Sequence, residues 1–210
     1  MTISYPLSLP TVKGISGITL RAENATMYQR SPLTFVGQAQ EFPGKVWGAS
    51  VTVPPMSRAD AEEWVSFLVS LKGYVGTFTM GDPAGSTPRG SASITPGTPV
   101  VDGAGQTGDT LAIRGAPTSA TGYLKAGDYV QLGGGASASL YKVLADVNTD
   151  VSGNATLDVW PDVVTATTDG ATVIVSGATG LFRLASPVTE WSINSAVMYG
   201  VSFEAFGVVI

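Results

Sequence analysis

The sequence contains neither cysteine nor histidine, and only 13% of its 210 residues are charged. Without cysteine there is no disulfide framework, no thiol nucleophile and no thiolate metal site. Without histidine, Ser-His-Asp chemistry and the usual zinc sites are excluded as well. These absences leave few routes to catalysis. We therefore expect a protein that is not an enzyme and that has no catalytic, cofactor-binding or metal-binding residues.

Basic residues are also scarce. The 11 lysines and arginines occur one at a time from Lys13 to Arg183, and the net charge is −5. No cluster of cations is present to neutralise a row of phosphates, so specific nucleic-acid binding is not expected. No apolar run reaches membrane-spanning length, and the opening MTISYPLSLPTVKG lacks the pattern of a signal peptide. We expect a chain that folds in a reducing cytoplasm and does not span a membrane.

One segment has the pattern of an α-helix, SRADAEEWVSFLVSLKG at 57–73. Ser57 is a suitable N-cap, and Asp60 places a carboxylate in the first turn. Lys72 would lie in the last turn, and Gly73 offers the left-handed position that ends helices. A wide apolar arc follows the helical period: Ala61, Trp64, Val65, Phe67, Leu68, Val69 and Leu71. The pattern predicts a helix over 57–72 that is packed against a sheet.

The remaining segments alternate like short strands separated by turns. In the first part of the chain, strands are predicted at 17–23, 34–40, 45–53 and 74–82, with a turn at Phe42-Pro43-Gly44. A Pro/Gly/Ser stretch at 83–93 follows and is the best candidate for a domain boundary. Beyond it, strands are predicted at 110–115, 128–133, 140–147, 155–161 and 171–177, and then at 181–186, 189–194 and 199–206.

The last three predicted strands are similar in composition to the first ones and are too few to form a core of their own. The simplest interpretation is one β domain made from residues 1–90 together with 179–210. A second small β-barrel or sandwich, residues 91–178, would be inserted between them. Two domains joined end to end is the alternative.

The best acidic cluster lies in DVNTDVSGN, residues 146–154. The spacing of Asp146, Asn148 and Asp150 resembles the start of a calcium loop. However, Gly153 falls at position eight instead of six, and Leu157 stands where a glutamate is needed. A hairpin turn explains the same residues without a metal ion.

Three further segments are weaker candidates for chemistry. GAGQTG at 103–108 and GGG at 133–135 are glycine-rich, but no Lys-Ser/Thr follows the first and neither opens a predicted helix, so both are expected to be loops. Asp158 and Asp162 flank Trp160 and are the nearest approach to a glycosidase pair. Their simpler interpretation is a strand face followed by a turn, although Trp160 is also a weak candidate for stacking on a sugar.

The run SPLTFVGQAQEFPGKVWGASVTVPPMSRADAEEWVSFLVSLKGYVGTFTMGDP begins at Ser31. It is followed in order by AGQTGDTL, LKAGDYVQLG, LYKVLADVNTDVSGNATLDVWPDV, LFRLAS and EWSIN. This combination resembles the distal tail proteins of long, flexible-tailed bacteriophages and prophages. The resemblance covers nearly the whole chain from Ser31. Its motifs are structural and include no catalytic signature.

The resemblance implies a mainly β fold: a tail-tube-like β-sandwich or split barrel with one flanking α-helix, plus an inserted small β-barrel that is OB-like or lectin-like. It implies a homo-hexameric ring at the virion's tail tip, assembled in the cytoplasm of the host bacterium. The expected partners are further copies of the chain, the tail tube protein, the tail-tip hub protein and the tape measure protein in the lumen. DNA would be met only in passage.

In such a ring, Trp64, Leu68 and Leu71 would anchor the helix to its own sheet, while Phe67 or Val69 would meet a neighbouring subunit. Tyr199 and Phe203, in the apolar C-terminal segment, are further candidates for the subunit interface.

The alternative function is a host-surface carbohydrate-binding (adhesion) protein that acts through the inserted β domain, with Trp160 as a possible glycan contact. An exposed aromatic strip on the insert would favour adhesion. A large apolar, self-complementary belt on the first domain would favour a ring.

Overall fold

The computed structural model describes residues 3–12 and 14–209, and in them the chain is mainly β with one α-helix. The elements, in chain order, are β1 (Leu7–Ser8), β2 (Gly17–Arg30), β3 (Gly37–Met56), α1 (Arg58–Ser70), β4 (Phe78–Met80), β5 (Val100–Val101), β6 (Gly108–Arg114), β7 (Tyr129–Leu132), β8 (Ser139–Val143), β9 (Ala155–Val163), β10 (Val173–Ile174), β11 (Gly180–Leu184), β12 (Trp191–Ile193) and β13 (Tyr199–Gly207). This confirms the predicted mainly β class with a single helix.

The strands form two curled sheets. The first has the order β1-β4-β11-β13-β3-β2, with β12 beside β13, and curls into a half-barrel. The second, called the barrel below, has the order β10-β7-β8-β9-β6-β5. It nearly closes on itself, because Val100 bridges to Thr172 and the Val101 N–H donates to the Ala171 carbonyl at 2.9 Å. The first sheet draws on both ends of the chain and the barrel on 100–174, while the domain boundaries stay a prediction.

Helix α1 begins where the sequence indicates but ends earlier. Ser57 is the N-cap, and its hydroxyl lies 3.2 Å from Asp60 Oδ2. The last helical residue is Ser70, so Lys72 lies beyond the final turn, and the prediction that placed it there is wrong. Lys72 and Gly73 both have positive φ, 51° and 65°. A Cβ on Gly73 would lie 2.8 Å from the backbone of Pro187, so this turn requires glycine.

The first core lies between α1 and the inner face of the first sheet. Trp64 is completely buried and donates its indole N–H to the Val12 carbonyl at 3.0 Å. Phe78 lies at the centre of an aromatic cluster and contacts the rings of Phe67, Phe182 and Phe203. Aromatic pairs in edge and offset geometry add to the stabilisation that burial alone provides. The helix is therefore an integral part of the core of the first sheet.

Strands β2 and β3 form one long antiparallel ladder, which corrects the prediction of a turn at 42–44. Pairing runs from Gly17 with Thr52 to Arg30 with Gly37, and the true turn lies at 31–36. The register shifts between Asn24 and Thr26, which leaves 42–44 opposite Ala25 as a bulge in β3. Pro43 has no N–H to donate to a ladder, and a bulge is a place in a sheet that tolerates this.

Three other predicted strands are shorter than expected because their ends bond elsewhere. The strand predicted at 74–82 is reduced to β4, since the carbonyls of Tyr74 and Val75 accept hydrogen bonds from Arg183 at 2.7 and 2.8 Å. The strand predicted at 140–147 ends at Val143. The strand predicted at 171–177 is reduced to β10, and Gly177 bonds to Ser86 in the preceding segment.

The segment 83–93, predicted as a boundary, is held on the barrel by Asp128, which is 4% exposed. Asp128 Oδ1 accepts the backbone N–H of Arg89 at 2.9 Å. Its other oxygen accepts the N–H groups of Lys125 at 2.8 Å and Gly90 at 3.3 Å. A buried carboxylate is stable when its oxygens are bonded in this way. The connection is thus docked through its backbone.

We expect Asp128→Asn to lower the free energy of unfolding by about 1–3 kcal/mol. The amide NH₂ would face N–H donors where a carboxylate oxygen now accepts their hydrogen bonds. The matched control is Asp158→Asn, at an exposed position in the same barrel. Chemical denaturation monitored by fluorescence measures both. If Asp128→Asn lowered the free energy of unfolding no more than Asp158→Asn does, the carboxylate of Asp128 would not hold this connection.

Candidate functional site

A two-stranded arm, residues 24–44, projects from the body of the protein. It consists of the outer halves of β2 and β3 and the turn at 31–36. Apart from Ser31, every residue of the arm is exposed, on both faces of the ladder. From Lys45 to Gly37 a strand rises about 3.3 Å per residue, so the arm extends about 26 Å beyond its base. The arm has no core of its own.

Despite its exposure, the arm carries many apolar side chains. The large ones are Met27 (53% exposed), Tyr28 (67%), Leu33 (90%), Phe35 (64%), Val36 (70%) and Phe42 (43%). A two-stranded hairpin is marginal in water, and contiguous apolar surface usually marks an interaction site. The arm is therefore the leading candidate for a contact with another chain.

The tip of the arm, residues 30–36, combines apolar groups with one cation. Arg30 donates from Nε to the Phe35 carbonyl at 3.3 Å, and its guanidinium carbon lies 4.5 Å from the centre of the Phe35 ring. Among the described residues, Arg30 has no carboxylate within ion-pair distance. The tip thus presents an unmatched positive charge beside Leu33 and Phe35.

The base of the arm is held against the barrel at a junction built on two tryptophans. The rings of Trp47 and Trp160 meet edge to face, with centroids 4.5 Å apart at 88°. The Trp160 indole N–H donates to Asn24 Oδ1 at 2.8 Å, and the Trp47 indole N–H donates to the Leu140 carbonyl at 2.9 Å. These contacts join β3 and the arm to strands β8 and β9 of the barrel.

An ion pair completes the junction. Lys45 Nζ lies 2.8 Å from Asp162 Oδ1 and 2.7 Å from Glu41 Oε1. The hydrogen bond to Asp162 is the main cause of a raised pKa for Lys45, and the hydrogen bond to Glu41 raises it further. Because Asp162 belongs to the barrel and Glu41 to the arm, Lys45 ties the two together.

The four predicted interface residues lie in different environments. Phe67 is 7% exposed and Tyr199 is 9% exposed, so both belong to the first core and have little surface left for a neighbour. Phe203 is half-buried against Trp64 and Phe78. Val69 is 54% exposed on the outer side of α1. Of the two helix positions, Val69 is the one that can meet another molecule.

A groove of about 480 Å³ lies on the first sheet beside the segment 185–190. Leu68, Leu184 and Phe203 contribute apolar side chains to its lining, and Val188, Glu190 and Glu204 also line it. Neither the arm nor the groove is anticipated by the sequence reasoning. The Ser31-Pro32 pair, a turn signal, could have located the arm. The groove has no such local signal, because its residues come from four separate elements.

The acidic cluster at 146–154 uses its oxygens internally. Asp150 Oδ1 accepts the N–H groups of Ser152 at 2.7 Å and Asn154 at 2.8 Å. Asn148 Oδ1 accepts the Gly122 N–H at 2.6 Å. Asp146 accepts the N–H of Ala126 at 2.9 Å and pairs with a lysine. Within the described ranges, no cluster of three or more His, Cys, Asp or Glu is placed to hold a metal ion. The geometry is that of a bonded turn.

The barrel offers no exposed aromatic platform. Residues 91–178 are all described, and their aromatic side chains are Tyr123, Tyr129, Tyr141 and Trp160. The three tyrosines are buried, and burial raises the pKa of Tyr123 to about 12. Trp160 is half-buried and meets the Trp47 ring in edge-to-face geometry. Asp162, its neighbour in the candidate carboxylate pair, is engaged by Lys45.

Across 3–12 and 14–209, no helix is long and apolar enough to cross a membrane.

We expect Trp160→Phe to lower the free energy of unfolding by about 1 kcal/mol, since the ring contact survives but the hydrogen bond to Asn24 is lost. Trp191→Phe is the matched control, because Trp191 is 44% exposed and its indole makes no hydrogen bond to a described residue. Urea titration measures both. Equal effects in the two variants would argue against a structural bond between Trp160 and the arm.

We expect the stabilisation by Asp150 to disappear in acid. The backbone N–H of Asn154 donates the hydrogen bond that lowers the pKa of Asp150 most, below its ordinary value of 3.8. The backbone N–H of Ser152 lowers this pKa further. A group with a depressed folded-state pKa stabilises the fold above its unfolded value and loses that contribution as the pH falls through the folded value. The gap in Tm between wild type and Asp150→Asn should be clear at pH 7 and should close as the pH falls below 3.8 and through the lowered pKa of Asp150.

The exposed Asp109, changed to asparagine, is the control for this acid experiment. A gap in Tm as large at the lowest pH at which both proteins still fold as it is at pH 7 would contradict the assignment. A rise in the Tm of the wild type on addition of CaCl₂ that is lost in Asp150→Asn would instead mean that Asp150 takes part in a metal site.

Comparison with known proteins adds no family assignment. No family model matches the chain, and a search of curated proteins finds no match. Three features of the molecule bear on its function: the exposed apolar arm, the junction that fixes its base, and the groove on the first sheet.

Proposed function

We propose that the protein is a structural component of a bacteriophage virion. It forms a ring at the distal end of the tail, joins the tail tube to the tail-tip hub, and leaves a channel for the tape measure protein and for DNA in passage. The observation that carries the proposal is the arm. At about 3.3 Å per residue of strand, the arm extends about 26 Å from its base. Its apolar side chains are exposed and belong to neither core of the described residues. Such a surface is stable in water when another chain covers it.

The edges of the first sheet support the same proposal. Strand β2 ends the strand order, and the outer side of its 14 residues pairs with no described strand. An unpaired strand of this length is a template for pairing with another chain. Closing a ring supplies partners for such edges, because each subunit offers its edge to the next.

The helix contributes a further surface to the proposed ring. Val69 is the candidate among the helix residues, since Phe67 is used inside the subunit. Phe203 remains a candidate because it lines the groove. The six-fold number, the tail tube and hub partners, the tape measure protein and the location at the tail tip all come from the sequence resemblance. In this function the protein performs no chemistry.

The adhesion alternative receives less support. Sugar binding by a small β domain usually needs an aromatic platform open to solvent. Trp160, the candidate contact, is half-buried, meets the Trp47 ring edge to face, and has its indole N–H bonded to Asn24. In the proposed function the barrel instead supports the base of the arm through Lys45 and Asp162.

We expect the purified wild type to form closed rings, and the double variant Leu33→Asp/Phe35→Asp to remain a folded subunit. Each charge would replace an apolar side chain worth about 1.5 kcal/mol or more when buried, so the subunit contact should weaken by at least about 100-fold. Aspartate tolerates the positive φ of 58° at position 35, so the fold should be retained. Mass photometry and negative-stain images measure the assembly.

Leu144→Asp/Val151→Asp is the matched control, because both residues are exposed on the barrel, at 55% and 82%. This variant should form rings like the wild type. A wild type that stays monomeric at every concentration, or rings that survive the change at the tip, would overturn the proposed role of the arm.

A further inference from the structure

The groove exists because the first sheet has a gap beside β13. On one side of β13, β11 pairs up to Leu184 opposite Ala205, and β12 begins with Trp191 opposite Val201. Between these pairs, no strand in the described part of the chain lies along Ser202–Glu204 on this side. The Ala185 N–H still donates to the Glu204 carbonyl at 2.8 Å, and then the chain loops away to residue 190. The gap opens the groove of about 480 Å³.

The lining of the groove joins an apolar floor to a free negative charge. Phe203, which is half-buried, gives the floor, and Val188, 67% exposed, lies at the rim. Glu190 is exposed and has no hydrogen bond or ion pair to any described residue. Glu204, the other carboxylate, is already shared with Ser50 and Arg21. The groove therefore suits an occupant that brings apolar side chains together with one cation.

The tip of the arm has that combination. Leu33 and Phe35 are exposed, and Arg30 lies against the Phe35 ring without a carboxylate partner among the described residues. The groove is comparable in volume with sites that take small ligands, which is enough room for a few side chains. The two surfaces are complementary in charge and in apolar character.

The arm of a subunit does not reach its own groove. Val51 of β3 lines the groove, and β3 continues from there to Gly37 at the tip. At about 3.3 Å per residue, these positions are about 46 Å apart along one strand. Ladder pairing with β2, interrupted by one bulge, keeps the strand extended. An arm that occupies the groove must come from a second copy of the chain.

We infer that the tip of the arm, residues 30–36, docks in the groove of a second copy of this protein. Arg30 pairs with Glu190 of the neighbour, and Leu33 and Phe35 cover its Phe203 and Val188. The inference rests on the proposed function, because a contact between two different surfaces repeats head to tail and closes into a ring when the rotation permits. It identifies which surface of the neighbour receives the arm.

The absence of native cysteine allows a direct test. Full-length Leu33→Cys and Val188→Cys proteins, one of them tagged, are mixed and oxidised, and the products are identified on a non-reducing gel and by mass spectrometry. We expect the mixed disulfide to exceed, by about tenfold or more, that of Leu33→Cys with Val151→Cys, whose position on the barrel is 82% exposed. Equal yields would overturn the inference. Both positions are exposed, so the variants should fold.

A charge exchange tests the ion pair independently. We expect Arg30→Glu and Glu190→Arg each to weaken the subunit contact about tenfold, and the double variant to recover most of the loss, since it restores an opposite pair. Sedimentation velocity over a concentration series measures the dissociation constant. If the dissociation constant of the double variant rose by the product of the two single-variant factors, the pairing of Arg30 with Glu190 would be overturned.

The outcomes separate this inference from the proposed ring. Closed wild-type rings without a preferred Leu33–Val188 disulfide would overturn the docking site and support the ring. A preferred disulfide in dimers or open filaments, with no closed rings, would support the docking site and overturn the ring.

Discussion

The contact between Trp47 and Trp160 is the constraint on which the arrangement of the molecule depends. Trp47 belongs to β3 of the first sheet and is 6% exposed, while Trp160 belongs to the barrel. Their rings meet edge to face, and each indole N–H bonds across the boundary between the sheets. Tyr129 of the barrel also packs against Trp47, with ring centroids 6.0 Å apart. Because these residues lie at the root of the arm, the barrel and the arm share one support.

The molecule divides its apolar residues between two purposes. Trp64, Phe78 and Phe182 bury their rings in the first core, where they stabilise the subunit. Leu33 and Phe35 project from the tip of the arm, where they belong to neither core of the described residues. A chain that leaves such residues in water is suited to assembly, since the free energy of burying them is gained only when a partner covers them. In the proposed ring, a neighbouring subunit covers these residues.

The elements predicted correctly from the sequence are those set by local chemistry. Helix α1 begins at Arg58, directly after the predicted N-cap position Ser57, because an apolar period of 3.6 residues is a local signal. Its end was misplaced at Lys72, since tertiary packing of Gly73 against Pro187 shapes that turn. Phe42-Pro43-Gly44 has the composition of a turn but lies in a bulge, because the pairing partner of β3 decides its conformation.

The sequence by itself determined the mainly β class, the single helix, and the lack of histidine and thiol chemistry, because composition and short-range periodicity suffice for these. Only the tertiary structure decided that Phe67 and Tyr199 lie in the core, that Trp160 packs on Trp47, and that residues 24–44 form an exposed arm. It also brought Leu68, Glu190 and Phe203 together in the groove. The physical reason is that burial depends on which distant segments meet, and a local pattern of apolar residues does not specify its partner.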